Sequence, residues 1–331
     1  MKTLITRISR LLLSLTFIFS GFIKANDPVG MSYKITDYFV AFSIPAPQWL
    51  TISASITMAI IEFTLGISLF SDKKIIQKIT LGVISIFTLF TVYIYFANPV
   101  SDCGCFGEVI TLTNGQTLLK NIILLGATLA MLKWNKKLSI HIPGKKTFFV
   151  STLCGILILA YSLFCILTLP CIDTTPYKKG TSLTEKIPIP EKPEILAAKF
   201  QVHGFIIEDE NEEDITRDIL SLEKETYVII APTLSDVCMN KVGILNELYD
   251  STKKEGKMMF VLTASSQKET EIWRDETAAE YPIYFSEERV LETVIRSNPG
   301  LVILEKGIIK DKFGNMTFEP NIQKIINKKT N

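Results

Sequence analysis

The chain has 331 residues and a formal net charge of +1, and its mean hydropathy of +0.29 is high for a protein in which 21% of the residues are charged. This average combines two halves of different charge. Residues 1–177 carry 14 basic and 7 acidic side chains, whereas residues 178–331 carry 21 basic and 27 acidic side chains. A purely soluble protein and a disordered chain are excluded, and so is nucleic-acid binding, because the basic residues of the first half stand in short clusters between apolar runs.

Five apolar segments of the first half predict helices that cross a lipid bilayer. A spanning helix needs roughly 20 apolar residues to cross ~30 Å of hydrocarbon. The segments are residues 11–23, 50–70, 79–100, 117–132 and 147–170. The first and fourth are short or interrupted, and we expect Lys24 and Lys120 to extend toward the lipid headgroups there.

The distribution of basic residues on the two sides of these spans predicts the orientation of the protein. Eleven of them lie on one side of the spans and three on the other. The positive-inside rule therefore places the N-terminus in the cytoplasm and the second half in the periplasm of a bacterial inner membrane. Residues 1–25 also have the form of a cleaved signal peptide, which is the alternative for the first span. Residues 33–42 favour a short helix at the membrane interface or a loop that only packs on the bundle.

Cys103 and Cys105 follow the third span and are separated by a single glycine. Glycine permits the tight backbone that a Cys-x-Cys disulfide needs, and a strained, exposed disulfide exchanges readily. The pair therefore indicates either a working redox site or a structural staple of its loop. A metal site is not indicated, because His141 and His203 are predicted on opposite sides of the membrane and complete no four-ligand set.

Other residues that carry chemistry are more widely spaced. Cys171 stands where the fifth span ends, and a third thiol near a reactive pair would act as a relay. Cys154 and Cys165 lie within that span and are predicted to be small apolar packing residues. Glu62 lies about midway through the second span, where an acidic group either serves a proton or ligand path or forms a buried hydrogen bond to a neighbouring helix.

The arrangement of these motifs resembles the DoxX-like superfamily, in particular the MauE/DoxD-like membrane redox proteins of Bacteroidota. The resemblance covers roughly residues 5–135. It rests on Phe19-Ser20-Gly21-Phe22, Asp27-Pro28, Glu62 with Gly66, and Cys103-Gly104-Cys105-Phe106-Gly107. It implies a four-helix membrane bundle and a role in thiol, sulfur or quinone-linked redox chemistry. MauE-type proteins support disulfide formation in a periplasmic enzyme, and DoxD-type proteins belong to a thiosulfate:quinone oxidoreductase.

The second half predicts an α/β domain of the thioredoxin-like class. Strand and helix patterns alternate and end in a hairpin and a helix, and Pro299 precedes the hairpin where thioredoxins carry a cis-proline. The position of the thioredoxin dithiol holds Cys238 alone. Cys238 near a helix N-terminus is then either a thiol that forms mixed disulfides or incidental to a domain that binds a partner.

The sequence therefore predicts an all-α transmembrane bundle, of four helices plus a fifth span, followed by an α/β thioredoxin-like domain. The predicted bounds are residues 1–172 for the bundle, 173–195 for a linker and 196–331 for the periplasmic domain. We expect Cys103 and Cys105 to exchange electrons with a periplasmic thiol protein or sulfur compound, with a quinone or a membrane redox protein as a further partner. The alternative is a membrane-anchored assembly protein with an inert thioredoxin-like domain and a structural Cys103–Cys105 disulfide.

Overall fold

A computed structural model describes residues 2–71, 73–100, 103–134, 144–184 and 204–327. The chain forms two compact units, Met1–Ile166 and Leu167–Asn331. His141 and His203, which we considered as metal ligands, lie outside the described residues, as do residues 185–195 of the predicted linker.

The described residues of the first unit form six helices. They are α1 (Lys2–Asn26), α2 (Pro28–Ala41), α3 (Gln48–Ser68), α4 (Lys74–Ala97), α5 (Asn114–Trp134) and α6 (Gly144–Leu167). All except α2 are long and apolar enough to cross a membrane, which confirms the five predicted spans. The protein is therefore a multi-pass membrane protein.

Helices α1 and α3 pack backbone against backbone because glycines stand at their contact. A Cβ atom added at Gly21 would lie 2.5 Å from the amide nitrogen of Phe63, and one at Gly66 would lie 2.8 Å from the amide nitrogen of Ile18. Small residues allow helices in lipid to approach this closely. The approach brings the polar side chains of α1 within hydrogen-bond distance of α3, as described below.

The remaining helices complete the bundle around α1. Helix α5 packs on both α1 and α4, and α2 packs on α3. Helix α6 makes polar contacts, since the hydroxyls of Ser151 and Ser68 are 2.7 Å apart and Tyr161 donates a hydrogen bond of 2.9 Å to Asn26. Buried Leu13, Ile84 and Met131 belong to the apolar core shared by the helices.

The second unit contains a five-stranded sheet with helices on both faces. Its strands are β1 (Thr226–Ile230), β2 (Met258–Thr263), β3 (Ile283–Phe285), β4 (Gly300–Glu305) and β5 (Ile308–Gly314). The spatial order is β3-β2-β1-β4-β5, with β1 to β3 parallel and β4 and β5 antiparallel to their neighbours. All five residues of β1 are buried, as expected for a central strand covered on both faces.

Five α-helices accompany this sheet in the part of the chain that the structure describes. They are α7 (Thr216–Leu220), α8 (Val242–Lys254), α9 (Gln267–Thr277), α10 (Glu288–Val294) and α11 (Phe318–Asn327). Apolar residues of α8, α9 and α11 pack on one face, and those of α7 and α10 pack on the other. This order of parallel strands, closing hairpin and flanking helices is a thioredoxin-like fold. The Asn298–Pro299 peptide bond is cis, as the sequence led us to expect.

Segments outside the named strands cover both edges of the sheet. Leu183 donates a backbone hydrogen bond of 2.7 Å to Gly307, and Glu208 exchanges backbone hydrogen bonds of 2.9 Å with Phe285. Covered edges are protected from pairing with other chains. The described part of the predicted linker, residues 173–184, thus packs on the second unit, and Lys312 holds it through an ion pair of 2.5 Å with Asp173.

Candidate functional site

The loop between α4 and α5 holds the sulfur atoms of Cys103 and Cys105 only 2.8 Å apart. Gly104 between them has a φ of +65°, a left-handed conformation in which a Cβ atom is unfavourable. The ends of the loop are tied together, because the amide of Asn114 at the start of α5 donates hydrogen bonds of 2.8 Å to Asn98 and 3.0 Å to Val100. The predicted pair is therefore held in reach of disulfide formation.

A buried ion pair lies directly beside Cys105. The ammonium group of Lys24 on α1 is 2.8 Å from the carboxylate of Glu62 on α3, and both side chains are at most 5% exposed. Lys24 also donates hydrogen bonds of 2.7 Å to the hydroxyl of Ser20 and 2.7 Å to the backbone carbonyl of Cys105. Ser20 donates a further one of 2.8 Å to the same carbonyl. Helix α1 thus contacts the Cys105 peptide group through two side chains, and Lys24 links this group to Glu62 on α3.

The position of Lys24 corrects our expectation that its side chain extends to the headgroups. Its ammonium group points into the bundle, because Glu62 offers a carboxylate there and an unpaired charge in hydrocarbon is costly. Glu62 thus accepts a buried hydrogen bond from the neighbouring helix α1, and the donor is the cation Lys24. Helix α1 thus supplies both Ser20 and Lys24 to the site.

A second cation, Lys120 on α5, acts electrostatically on both cysteines. Its ammonium group is 4.6 Å from the centre of the Phe106 ring, and this ring also contacts the ring of Phe19 at 5.5 Å. In the described part of the chain, no carboxylate pairs with Lys120. The hydroxyl of Tyr38 on α2 donates a hydrogen bond of 3.3 Å to the carbonyl of Cys103.

These contacts make the two thiols unequal. The hydrogen bond from the Cys103 thiol lowers the pKa of Cys105 to about 6, with the positive charges of Lys120 and Lys24 acting in the same direction and burial opposing them. The same hydrogen bond and burial raise the pKa of Cys103. The lowered pKa favours the thiolate of Cys105, the form that attacks disulfides and other electrophiles.

The bundle also contains a cavity of about 460 Å³ whose wall includes Cys103 and Cys105. Glu62 and Lys24 line it together with mostly apolar and aromatic side chains of α2, α4 and α5. The sulfur atoms of the pair are therefore accessible from inside the bundle. The sequence did not indicate this cavity, because its walls come from segments far apart along the chain.

The structure does not bring the other predicted residues to this site within the first unit. Cys171 and Cys238 belong to the second unit, where both side chains are exposed. Cys238 immediately precedes a short 3₁₀ turn (Met239–Lys241) rather than the first turn of an α-helix. Cys165 is buried in the last span, consistent with packing. Across the described residues, no cluster of histidine, cysteine and carboxylate side chains forms a metal site.

Comparison with known proteins gives two groups of similar sequences and structures. Residues 2–133 match the family described as Methylamine utilisation protein MauE. Protein TlpB of Flavobacterium psychrophilum is 30% identical over 123 residues, which are 34% of this chain and 32% of TlpB. The chain thus spans about a third of the length of this curated relative.

Similar solved structures include proteins from three bacteria. The thioredoxin domain of a thiol-disulfide oxidoreductase from Bacteroides vulgatus is 15% identical, with 37% of this chain and 92% of that chain covered and a TM-score of 0.30. StoA from Bacillus subtilis is 18% identical (38% and 96% covered, TM-score 0.30). A PrxQ mutant from Xylella fastidiosa is 9% identical (46% and 94% covered, TM-score 0.34).

Proposed function

We propose that this protein, whose N-terminal region is of the MauE family, is a membrane thiol–disulfide oxidoreductase that works through Cys103 and Cys105. The observation that carries the proposal is the environment of the pair. The two sulfur atoms are 2.8 Å apart, and Lys24 and Lys120 both act on Cys105. Two cations that favour a thiolate suit a cysteine pair that exchanges electrons, whereas a disulfide that only closes its loop does not require them.

The reaction is a two-electron exchange. A thiolate of the substrate attacks Cys103 of the oxidised pair, and the Cys103–Cys105 bond breaks with Cys105 leaving as the thiolate, because the thiol of lower pKa is the better leaving group. A second substrate thiol then releases the substrate as a disulfide and leaves Cys103 and Cys105 reduced. The pair passes its two electrons to a quinone or to another membrane redox partner. The substrate is a periplasmic thiol protein or a sulfur compound.

The proposal includes an orientation in the bacterial inner membrane. The basic residues cluster at the N-terminus of α1 and between the spans on that side, and this distribution favours a cytoplasmic N-terminus. The loop of Cys103 and the whole second unit then face the periplasm. A protease added to spheroplasts should digest the second unit, and protection of that unit would refute this orientation.

The thioredoxin-like unit binds or positions the thiol partner in this proposal. It holds only Cys171 and Cys238, and it carries one cysteine where a thioredoxin has two, so a dithiol cycle like that of thioredoxin cannot run there. Both cysteines are exposed and remain candidates for relay thiols. Replacing each of them by alanine tests this role separately from that of the Cys103 pair.

Thiol trapping in cells tests the proposal directly. We expect Cys103 and Cys105 to be found partly reduced, and we expect Cys103→Ala and Cys105→Ala each to accumulate mixed disulfides with a substrate protein. Cys154→Ala, within the last span, is the matched control and should accumulate none. A pair that is always oxidised, with a double alanine variant of unchanged phenotype, would contradict the redox function.

That same outcome would support the second candidate, a membrane-anchored assembly protein. The observation in its favour is the thioredoxin-like unit with its single cysteine at the dithiol position, Cys238. In that case Cys103 and Cys105 only close their loop, and loss of the second unit, rather than loss of the pair, abolishes the phenotype.

A further inference from the structure

Helix α2 supplies a side chain that contacts Cys103, the less acidic thiol of the pair. The hydroxyl of Tyr38 donates a hydrogen bond of 3.3 Å to the carbonyl of Cys103, and it also hydrogen-bonds the Cys103 sulfur. The positive charges of Lys24 and Lys120 act on Cys105. Lys120 acts on Cys103 through its charge as well, whereas Tyr38 brings a proton donor to this sulfur.

The position of the Tyr38 hydroxyl is set by packing between α2, α4 and the loop of the cysteine pair. The centre of the Tyr38 ring is 5.2 Å from that of Phe90 on α4. One turn earlier on α2, the side chain of Lys34 lies against Gly104, because a Cβ atom added at this glycine would be 3.3 Å from the Cγ atom of the lysine. Two successive turns of α2 thus lie against the loop.

The release step of the proposed reaction places negative charge on Cys103. In the mixed disulfide Cys103 is bonded to the substrate, and Cys105 has already left as a thiolate. Attack by the second substrate thiol expels Cys103 with the electron pair of the broken bond, only 2.8 Å from the sulfur of Cys105. Two negative charges this close are unfavourable, and a thiol of raised pKa is a poor leaving group. This step therefore benefits from a proton donor at Cys103.

We propose that Tyr38 is a further catalytic residue, which protonates the sulfur of Cys103 as this sulfur leaves the mixed disulfide. The inference rests on the proposed function, since a disulfide that only closes its loop has no release step. The hydroxyl has a single proton, which rotation about the C–O bond directs to either acceptor. Its bond to the carbonyl is longer than the ~2.7–2.8 Å usual for a hydroxyl donor, so turning the proton to a negatively charged sulfur gains the stronger bond.

Atoms and electrons balance in this step. The S–S bond between the substrate and Cys103 breaks, and an S–S bond between the two substrate sulfur atoms forms. The electron pair of the broken bond stays on Cys103, whose sulfur takes the proton of the Tyr38 hydroxyl. The tyrosinate takes from water the proton that the attacking substrate thiol has released to water. The substrate is oxidised by two electrons, and the cysteine pair is reduced by two.

The test follows the two steps separately in the full chain, purified with its pair oxidised into lipid nanodiscs without oxygen. Dithiothreitol serves as the substrate. Its first thiol forms the mixed disulfide on Cys103 and expels Cys105, and its second thiol closes a ring and expels Cys103. Samples quenched in acid at successive times and then alkylated are mapped by mass spectrometry, which counts the oxidised pair, the mixed disulfide and the reduced pair.

Two matched substitutions each remove one hydroxyl and keep the ring. Tyr38→Phe should form the mixed disulfide at the wild-type rate, because Cys105 is the leaving group of that step. Its release step should be slower by about tenfold, which corresponds to ~1.4 kcal/mol of activation free energy, so the mixed disulfide should accumulate. Tyr93→Phe is the control, since Tyr93 on α4 contacts α2 through a ring pair of 5.7 Å with Phe42. Both steps should be unchanged in this control.

A fluorinated tyrosine at position 38 keeps the ring and the hydroxyl and makes the hydroxyl a stronger acid. Release in this protein should be at least as fast as in the wild type. Equal release in Tyr38→Phe and Tyr93→Phe, equal slowing of both steps in Tyr38→Phe, or release from the fluorinated protein as slow as from Tyr38→Phe would overturn the role of Tyr38. No reduction of the wild-type pair, or a mixed disulfide on Cys105 instead of Cys103, would overturn the proposed function itself.

Discussion

Breaking the ion pair between Lys24 and Glu62 gives the sharpest test of how this bundle is held together. In Glu62→Gln the ammonium group of Lys24 stays buried without an opposite charge, while its hydrogen bonds to Ser20 and to the carbonyl of Cys105 remain. Removing one partner of a buried pair costs about 3–5 kcal/mol, whereas an exposed pair contributes about 0–1 kcal/mol. Since both side chains are at most 5% exposed, we expect a loss of about 3 kcal/mol in the free energy of unfolding.

The double variant distinguishes pairing from simple loss of packing. In Lys24→Met with Glu62→Gln no charge remains to be buried, so its free energy of unfolding should return to within about 1 kcal/mol of the wild type. The double-mutant cycle should therefore give a coupling of about 2 kcal/mol or more between the two residues.

The assay is unfolding of the full chain by SDS in mixed micelles, followed by tryptophan fluorescence. Thr64→Val is the control on the same helix, because the Thr64 hydroxyl bonds only to carbonyls of its own helix, at 2.6 Å for Ile60. A loss in Glu62→Gln no larger than that in Thr64→Val would show that water reaches the pair, and the assignment of a buried ion pair would be wrong.

Three further predictions concern the thiols and the second unit. The hydrogen bond from Cys103 and, to a smaller extent, the positive charge of Lys120 lower the pKa of Cys105 to about 6. Alkylation of Cys105 should therefore rise with pH around a midpoint near pH 6, and Lys120→Met should move the midpoint upward, as measured by mass spectrometry of labelled peptides. Gly104→Ala places a Cβ atom at a φ of +65°, which costs roughly 1 kcal/mol, so the equilibrium constant for closing the disulfide in a glutathione buffer should change about fivefold. Burial raises the pKa of Asp173, but its ion pair with Lys312 outweighs burial and lowers it. The stabilisation that this ion pair gives is therefore present above about pH 4 and is lost as the pH falls through the lowered pKa. Thermal unfolding should show Lys312→Met less stable than the wild type at about pH 7, and this difference should vanish in strong acid.

Each of these predictions has a matched control. Lys133→Met, in the last turn of α5, should leave the alkylation midpoint of Cys105 unchanged. Gly126→Ala, where an added Cβ atom meets nothing within 4 Å, should leave the disulfide equilibrium unchanged. Lys179→Met removes a pair with Asp311 whose side chains are 69% and 44% exposed, and it should have little effect on unfolding. If a control variant changed the measured quantity as much as its test variant does, the corresponding prediction would be contradicted.

Local patterns were enough to predict much of the architecture. Apolar segments of sufficient length predicted five spans, and the structure has helices at all five. Alternating strand and helix patterns predicted the thioredoxin-like unit, and the position of Pro299 before the last hairpin predicted its cis bond. These properties follow from neighbouring residues, which is why sequence reasoning finds them.

The partners within the site were beyond such reasoning. Lys24 and Glu62 are 38 positions apart, and Lys24 looked like a residue at a membrane surface because it stands near the end of an apolar run. One signal was available, since Glu62 is the single carboxylate of its span and needs a cationic partner in lipid, and Lys24 stands near the end of the preceding span. The sequence did not indicate that Lys24 and Lys120 would both act on Cys105.

The sequence by itself therefore determined the solvent of each half, the number of spans, the class of the second unit and the closeness of Cys103 to Cys105, because each depends on composition or on residues adjacent in the chain. The tertiary structure alone decided that Lys24 and Lys120 both act on Cys105, that the two thiols are unequal and that the pair borders a cavity. These features depend on how α1, α3 and α5 pack. Helix packing brings together residues that are far apart in the sequence, so the sequence does not show that they are in contact.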